Sequence, residues 1–375
     1  MNKVYTGNSG EKRKDSLIGL GVALILFVIS LILLVLSRIL PGFAGAYTKT
    51  VYSFLQGTVG RASGLLPFSL SEFLIYALAI ILLFDLIINI KKIGRFLRRL
   101  VLIASVLFFL YSVNCGVNYY SPTFAEAEGL SPISSDDELL ESFCTYIAQG
   151  LQENSAELGV DDATDLQTLY PDEGAMKDEA VTSMKAMGSI YSSLKGHYPR
   201  PKQITISRPF SNMEVTGIYS PFFIEANYNG EMPAMNVPFT MCHELSHLRG
   251  FMNEGEANYI GWLACTQSSD PYFNRSAYLV AWQYAGGQLY RVNRDSYNEI
   301  RSLLPQDAIR ELKEDATFWN TYKTKASDIQ DKVNDSYLKS NGQKEGIGSY
   351  NKVVGLMLAW FKESGASTKY RIPAE

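Results

Sequence analysis

The sequence predicts an α+β fold that is mostly helical, preceded by three helices in a membrane segment. Three observations carry this reading. Uncharged apolar runs are confined to the first 119 residues, apolar residues recur at helical spacing over most of the remainder, and one short β-branched stretch precedes the string His243-Glu244-Leu245-Ser246-His247. The chain accordingly divides into a membrane segment, 1–119, and a second domain, 120–375, long enough to bury a core of its own. With 47% hydrophobic and 19% charged residues, the composition argues against disorder and against a charge-rich coiled coil. A formal net charge of −4 argues against nucleic acid as a partner. Four cysteines are too few for a disulfide-stapled scaffold. Cys115 lies in an apolar run, and of Cys144, Cys242 and Cys265 at least one stays a free thiol unless it pairs with another chain.

The membrane segment holds three predicted spans, at about 17–37, 71–90 and 99–118. A run of about 20 apolar residues matches a hydrocarbon core of ~30 Å. Ala44-Gly45-Ala46 resembles a signal-peptide cleavage site, but the run before it is longer than a signal core and ends several residues too early, so the first span is kept. Lys3, Lys12, Arg13 and Lys14 precede the first span, and Lys91, Lys92, Arg95, Arg98 and Arg99 separate the second from the third. Only Arg38, Lys49 and Arg61 lie between the first two. Nine basic residues against three place the N-terminus in the cytoplasm, and an odd number of spans then puts 120–375 outside it. The expectation is a multi-pass protein of the cell membrane, with the lipid bilayer as a partner. Between the first two spans, Val51, Phe54, Leu55, Val59, Ala62, Leu65 and Leu66 follow helical spacing. This 47–66 segment either lies in the outer interface as an amphipathic helix or packs on the spans. Asp85, six residues before Lys91, is expected to be locally paired or snorkelled rather than part of a proton relay.

Beyond the membrane, Asp136–Gln152 and Gly174–Leu194 are predicted as helices. Gln203–Ser207 alternates like a strand, and Gly217–Tyr228 continues strand-like up to the Asn229-Gly230 turn. From Asn274 to Trp360 helices return, with breaks near Asn293–Asp295, Pro305 and Asn341–Gly348.

The chemistry concentrates in one place. The chain has three histidines, and His243 and His247 stand four apart around Glu244. On a helix that spacing puts both imidazoles on one face, able to reach one ion, with Glu244 set to act as general base. Pro238 suits a helix start and Gly250 a helix stop. Zinc with two histidines needs a third protein ligand and one open position. The following stretch offers Glu254 and Glu256 at the start of a second helix running to about Gln267. Glu254 is the preferred ligand because Asn258, four residues on, shares its face and can orient a histidine; Glu256 remains the alternative. Tyr272 and Tyr278 are candidates for stabilising an oxyanion, the alternative for either being packing. Pro221–Tyr228 offers a strand edge to an extended peptide, or else packs in the core. His197 is assigned a structural role, and Cys242 a buried thiol rather than a ligand.

H-E-x-x-H followed by E-x-x-A-N resembles the glutamate-zinc peptidases (gluzincins), whose third ligand lies on a following helix in an E-x-x-x-D or E-x-x-A-D pattern; Asn258 stands at the aspartate position. That resemblance implies a zincin-like domain, a Zn2+ cofactor and a peptide or protein substrate. The string from Pro238 to Phe251, then Glu254 to Ala264, Tyr337 to Gln343 and Ser349-Tyr350, resembles a bacterial membrane family catalogued as domain of unknown function 3810. The expected activity is hydrolysis of peptide bonds outside the cytoplasmic membrane by a Glu244-assisted, zinc-bound water. The motif lies more than 120 residues past the third span, which predicts cleavage in the aqueous phase. The competing reading is a catalytically inactive scaffold or sensor, zinc-binding or metal-free. Three spans with a single polar interruption give a transporter little support.

Overall fold

The computed structural model describes residues 9–134, 136–161, 163–341, 343 and 350–364. Lys3, the predicted break at 344–348 and Ser349 lie outside the described residues, and the side chains of Lys12, Arg13 and Lys14 are likewise not described. The chain is mostly helical with one three-stranded sheet.

Among the described residues, three helices are long and apolar enough to cross a membrane: Ile18–Ile39 within α1 (Ser9–Ile39), α2 (Leu70–Ile88), and Ile90–Tyr120, which contains α3 (Ile93–Tyr111). α1 packs along α3, with the Phe27 and Phe108 rings 5.6 Å apart. α2 meets α3 only lightly and leaves most of its surface apolar and uncovered. Asp85 accepts from Asn89 and pairs with Arg99 across the hairpin, the local pairing expected of it. Between α1 and α2 runs a helical segment, 43–63, with two π-type stretches, Thr48–Tyr52 and Gln56–Gly60.

The polar part builds outward from two consecutive helices. Around them pack α4 (Asp137–Leu158), longer than predicted, and α5 (Glu173–Ile190), which ends at a separate 3₁₀ turn, Ser192–Leu194. Asp136 caps α4 by accepting from Leu139 N, and Asp172 caps α5 in the same way.

The sheet corrects one prediction. Gly217–Tyr228 is not a continuous strand but a hairpin of β2 (Gly217–Ser220) and β3 (Glu225–Asn229). Pro221 has no N–H to give a ladder, and Ile224 turns the chain with φ 55°. β1 (Lys202–Ile204) pairs parallel to β3, giving the order β1-β3-β2. β3 is therefore central and buried along its length, so the Pro221–Tyr228 stretch presents no free edge; β2 does.

Side chains tie the two parts of the chain together. Glu225 is buried, and its carboxylate accepts from the Leu70 and Ser71 amides and the Ser71 hydroxyl at the N-terminus of α2. Lys202 Nζ neutralises it at 2.5 Å and also donates to Ser63 O. Glu72 in turn accepts from the Thr205 and Ile206 amides. These bonds lock the start of α2 to the sheet, where helix-end amides favour an anion.

Candidate metal centre

The two central helices are α6 (Val237–Arg249) and α7 (Glu254–Thr266). Pro238 occupies the first turn of α6, where its missing N–H has no partner to lose. Gly250 ends it at φ 110°, a left-handed conformation that lets the chain reverse within three residues. Asn253 then caps α7 by accepting from Glu256 N. Gly261 on α7 lets the helices approach closely, since a Cβ there would lie 3.0 Å from the His243 amide nitrogen.

This turn brings Glu254 back against the histidines. One donor atom each from His243, His247 and Glu254 lies within 4.8 Å of the others. Glu254 stands 3.5 Å from both Nε2 atoms, one through each carboxylate oxygen. His247 Nδ1 is fixed by the Phe251 carbonyl at 2.7 Å, which turns Nε2 toward the cluster. His243 Nδ1 is buried without a hydrogen-bond partner, while Asn258 adjoins that ring as a polar neighbour.

Charge in the cluster is strongly coupled. Burial pushes Glu244 up to about 8. Burial opposes the charge of His247, yet the Glu254 and Glu244 carboxylates hold it up at about 9. Glu254 is pulled far below the usual carboxylate range: both imidazoles outweigh its burial. Glu244 is buried with Oε2 unpartnered, and its Oε1 is 4.0 Å from His243 Nε2. It lies against β2, where a Cβ at Gly217 would come within 2.5 Å of Oε1.

The alternative Glu256 faces elsewhere. It is buried, accepts from the Phe124 and Ala125 amides, and has Lys352 Nζ at 3.1 Å. Two positions on a helix differ by about 200° in direction, so only one of the pair can face the histidines. The Tyr278 ring packs against Gly150 and Tyr146, and the Tyr272 ring against Tyr170. Cys242 is buried and free, as are Cys115, Cys144 and Cys265. The His197 backbone carbonyl accepts from Gln56 Nε2.

Sequence reasoning missed the neighbours that come from far away in the chain. Gly217 backs Glu244, and the C-terminal end of the third candidate span flanks the turn after α6, with Cys115 Sγ 3.6 Å from Met252 Sδ. A separation of more than 120 residues in sequence is thus no separation in space. No local pattern signals such contacts; the glycine at 217, inside a strand, was the one available cue to a close approach.

Fold and site together define a mostly helical protein with three candidate spans and a His-His-Glu cluster built on two consecutive helices. The chain belongs to the family described as "Protein of unknown function (DUF3810)", whose model matches residues 47–358. No curated protein and no solved structure matches the chain.

Proposed function

We propose that this protein is a membrane-anchored, zinc-dependent peptidase that hydrolyses peptide bonds on the non-cytoplasmic side of the cell membrane. The observation that carries the reading is the convergence of His243, His247 and Glu254 beside the buried, unpartnered carboxylate oxygen of Glu244. The donor set fits zinc. Tetrahedral ligands about 2.0–2.1 Å from one ion lie about 3.4 Å from one another. One donor atom from each of His243, His247 and Glu254 lies within 4.8 Å of the others, and Glu254 meets each histidine Nε2 at 3.5 Å through a different oxygen, longer than the 2.7–2.9 Å or so of a charge-assisted hydrogen bond.

When bound, zinc would supply Lewis acidity and lower the pKa of a water toward neutrality. The chain's own residues do the rest. His243, His247 and Glu254 would hold the ion, and the Phe251 carbonyl keeps the His247 ring in place. Glu244, buried beside His243 with Oε2 unpartnered, takes the water's proton and hands it to the leaving amine. The free edge of β2 runs beside Glu244 at Gly217, where an extended polypeptide can add by backbone pairing. On this reading residues 120–375 form a zincin-like domain and the gluzincin resemblance is functional. The three apolar helices then cross the bilayer, with the basic N-terminus inside.

Elemental analysis of the purified full-length protein is the first test. The expected result is about one zinc per chain, lost in His243→Ala and Glu254→Ala but kept in Glu244→Gln. Hydrolysis of an unfolded protein such as casein should disappear in all three variants. A folded wild type that holds no zinc after zinc is supplied removes the reading. Zinc without hydrolysis of any polypeptide moves the scaffold or sensor to the front.

A further inference from the structure

The 43–63 helix takes no part in the chemistry above. It joins the end of one candidate span at Ile39 to the start of the next at Leu70. Both of its ends therefore meet the same face of the membrane, and a helix about 30 Å long tethered in that way runs along the surface.

Its two faces differ. Tyr47, Tyr52, Gln56, Gly60 and Ser63 are buried on one side. The other side turns Val51 and Phe54 outward, 44% and 68% exposed, and Leu65 in the turn just after the helix is 81% exposed, whereas Tyr52 is 0%. Thr50 and Thr58, also exposed, donate their hydroxyls to the Ala46 and Phe54 carbonyls of the same helix, so they need no water. Lys49 and Arg61 are exposed as well, and residues 39–71 contain no acidic side chain. An apolar face edged by cations alone is what the boundary between acyl chains and anionic headgroups receives.

The buried face rests on the end of α6 that carries the cluster. Tyr52 donates to the Leu248 carbonyl at 2.8 Å, one residue from His247, and Arg249 donates to Ser53 Oγ at 3.2 Å. On the adjoining flank Asn114 Nδ2 donates to the Pro221 carbonyl at 2.7 Å, so the outer end of the third candidate span holds the β2–β3 turn as well.

We infer that the 43–63 helix lies on the outer leaflet and holds the His243–His247–Glu254 cluster about one helix diameter, ~10–12 Å, above the lipid, so that the polypeptides cut are anchored in the same membrane and cleaved close to its surface. The substrate half of this inference rests on the peptidase reading; the lipid half does not.

Two arms test them apart, both on the full-length protein in vesicles of phosphatidylcholine and phosphatidylglycerol. In the first, a bimane fluorophore is attached at Phe54→Cys, Leu65→Cys or Lys313→Cys, a polar surface control on the Gln306–Tyr322 helix; the four native cysteines are buried. Lipids carrying a shallow nitroxide on the acyl chain should quench positions 54 and 65 several-fold more than position 313. Equal quenching at all three overturns the placement. In the second, one unstructured casein segment is fused to a transmembrane anchor through either five flexible residues or a rigid helical spacer of about 45 Å. Because both probes share the membrane, co-localisation cancels, and the short one should be cut at least tenfold faster. Equal rates overturn the substrate class and leave the peptidase standing. No cleavage of either probe by zinc-loaded protein overturns the peptidase reading and the substrate class with it, while the quenching still reports the placement.

Discussion

Two buried charge clusters lie in the same helical core, and they are built on opposite principles. Around Arg275, fully buried, the hydrogen bonding is closed: Nε donates to Glu311 at 2.7 Å, Nη2 to Asp307 at 2.6 Å, and Nη1 to Ser155 at 3.1 Å. Its loose ends are Glu311 Oε1 and the Tyr170 hydroxyl beside it. Around His243, His247, Glu254 and Glu244 the bonding is left open. Two ring-to-carboxylate separations of 3.5 Å are too long for good hydrogen bonds, and His243 Nδ1 and Glu244 Oε2 have no partner. A buried polar atom without a partner is expensive, about 1–3 kcal/mol. The first cluster holds helices together; the second is the one that the proposed function reads as a metal site.

That contrast is open to attack by substitution. Glu244→Gln tests it hardest: hydrolysis should fall by about 10²–10⁴-fold, the range for a general base, with zinc content and melting temperature little changed. Unfolding of this variant would make the open cluster a structural one. Arg275→Met is the mirror experiment. It strands two buried carboxylates and should destabilise the fold by about 3–5 kcal/mol, read by chemical denaturation, while the molecules that remain folded keep their zinc. Zinc loss at constant stability would erase the distinction between the clusters. Gly217→Ala sharpens the comparison, because the new Cβ would sit 2.5 Å from Glu244 Oε1. Displacing the base should lower the rate by on the order of 10–100-fold, and retained zinc would separate it from the ligand variants. Glu256→Gln should have the smallest effect: a loss of about 1–2 kcal/mol in stability from weaker bonds to the Phe124 and Ala125 amides, with zinc unaffected. Zinc loss in that variant would return Glu256 to the ligand set.

Much of the site was legible along the chain because its parts are local. Pro238, Gly250 and the His243–His247 spacing specify one helix, and Asn253 starts the next, so the faces of both follow from a period of 3.6 residues. The same period separates Glu254 from Glu256, yet it cannot say which of the two faces the histidines, because that depends on how the helices cross. The strand-like stretch from Gly217 to Tyr228 shows the opposite case. Its composition suits a strand throughout, but the fold at Pro221 and the central place of β3 depend on pairing with Lys202–Ile204, which no local pattern encodes.

The sequence by itself determined the membrane-like first third, the polar helical remainder, and the three donor side chains spaced to share a pair of consecutive helices. These are short-range properties, fixed by hydropathy and by the geometry of one or two turns. Only the tertiary structure decided that Glu225 locks the start of the second candidate span, that Gly217 stands behind Glu244, and that Tyr52 holds the end of the motif helix. Those contacts join residues some 27 to 200 positions apart, and which of many buried polar groups pair across such distances is settled by packing, not by any periodicity along the chain.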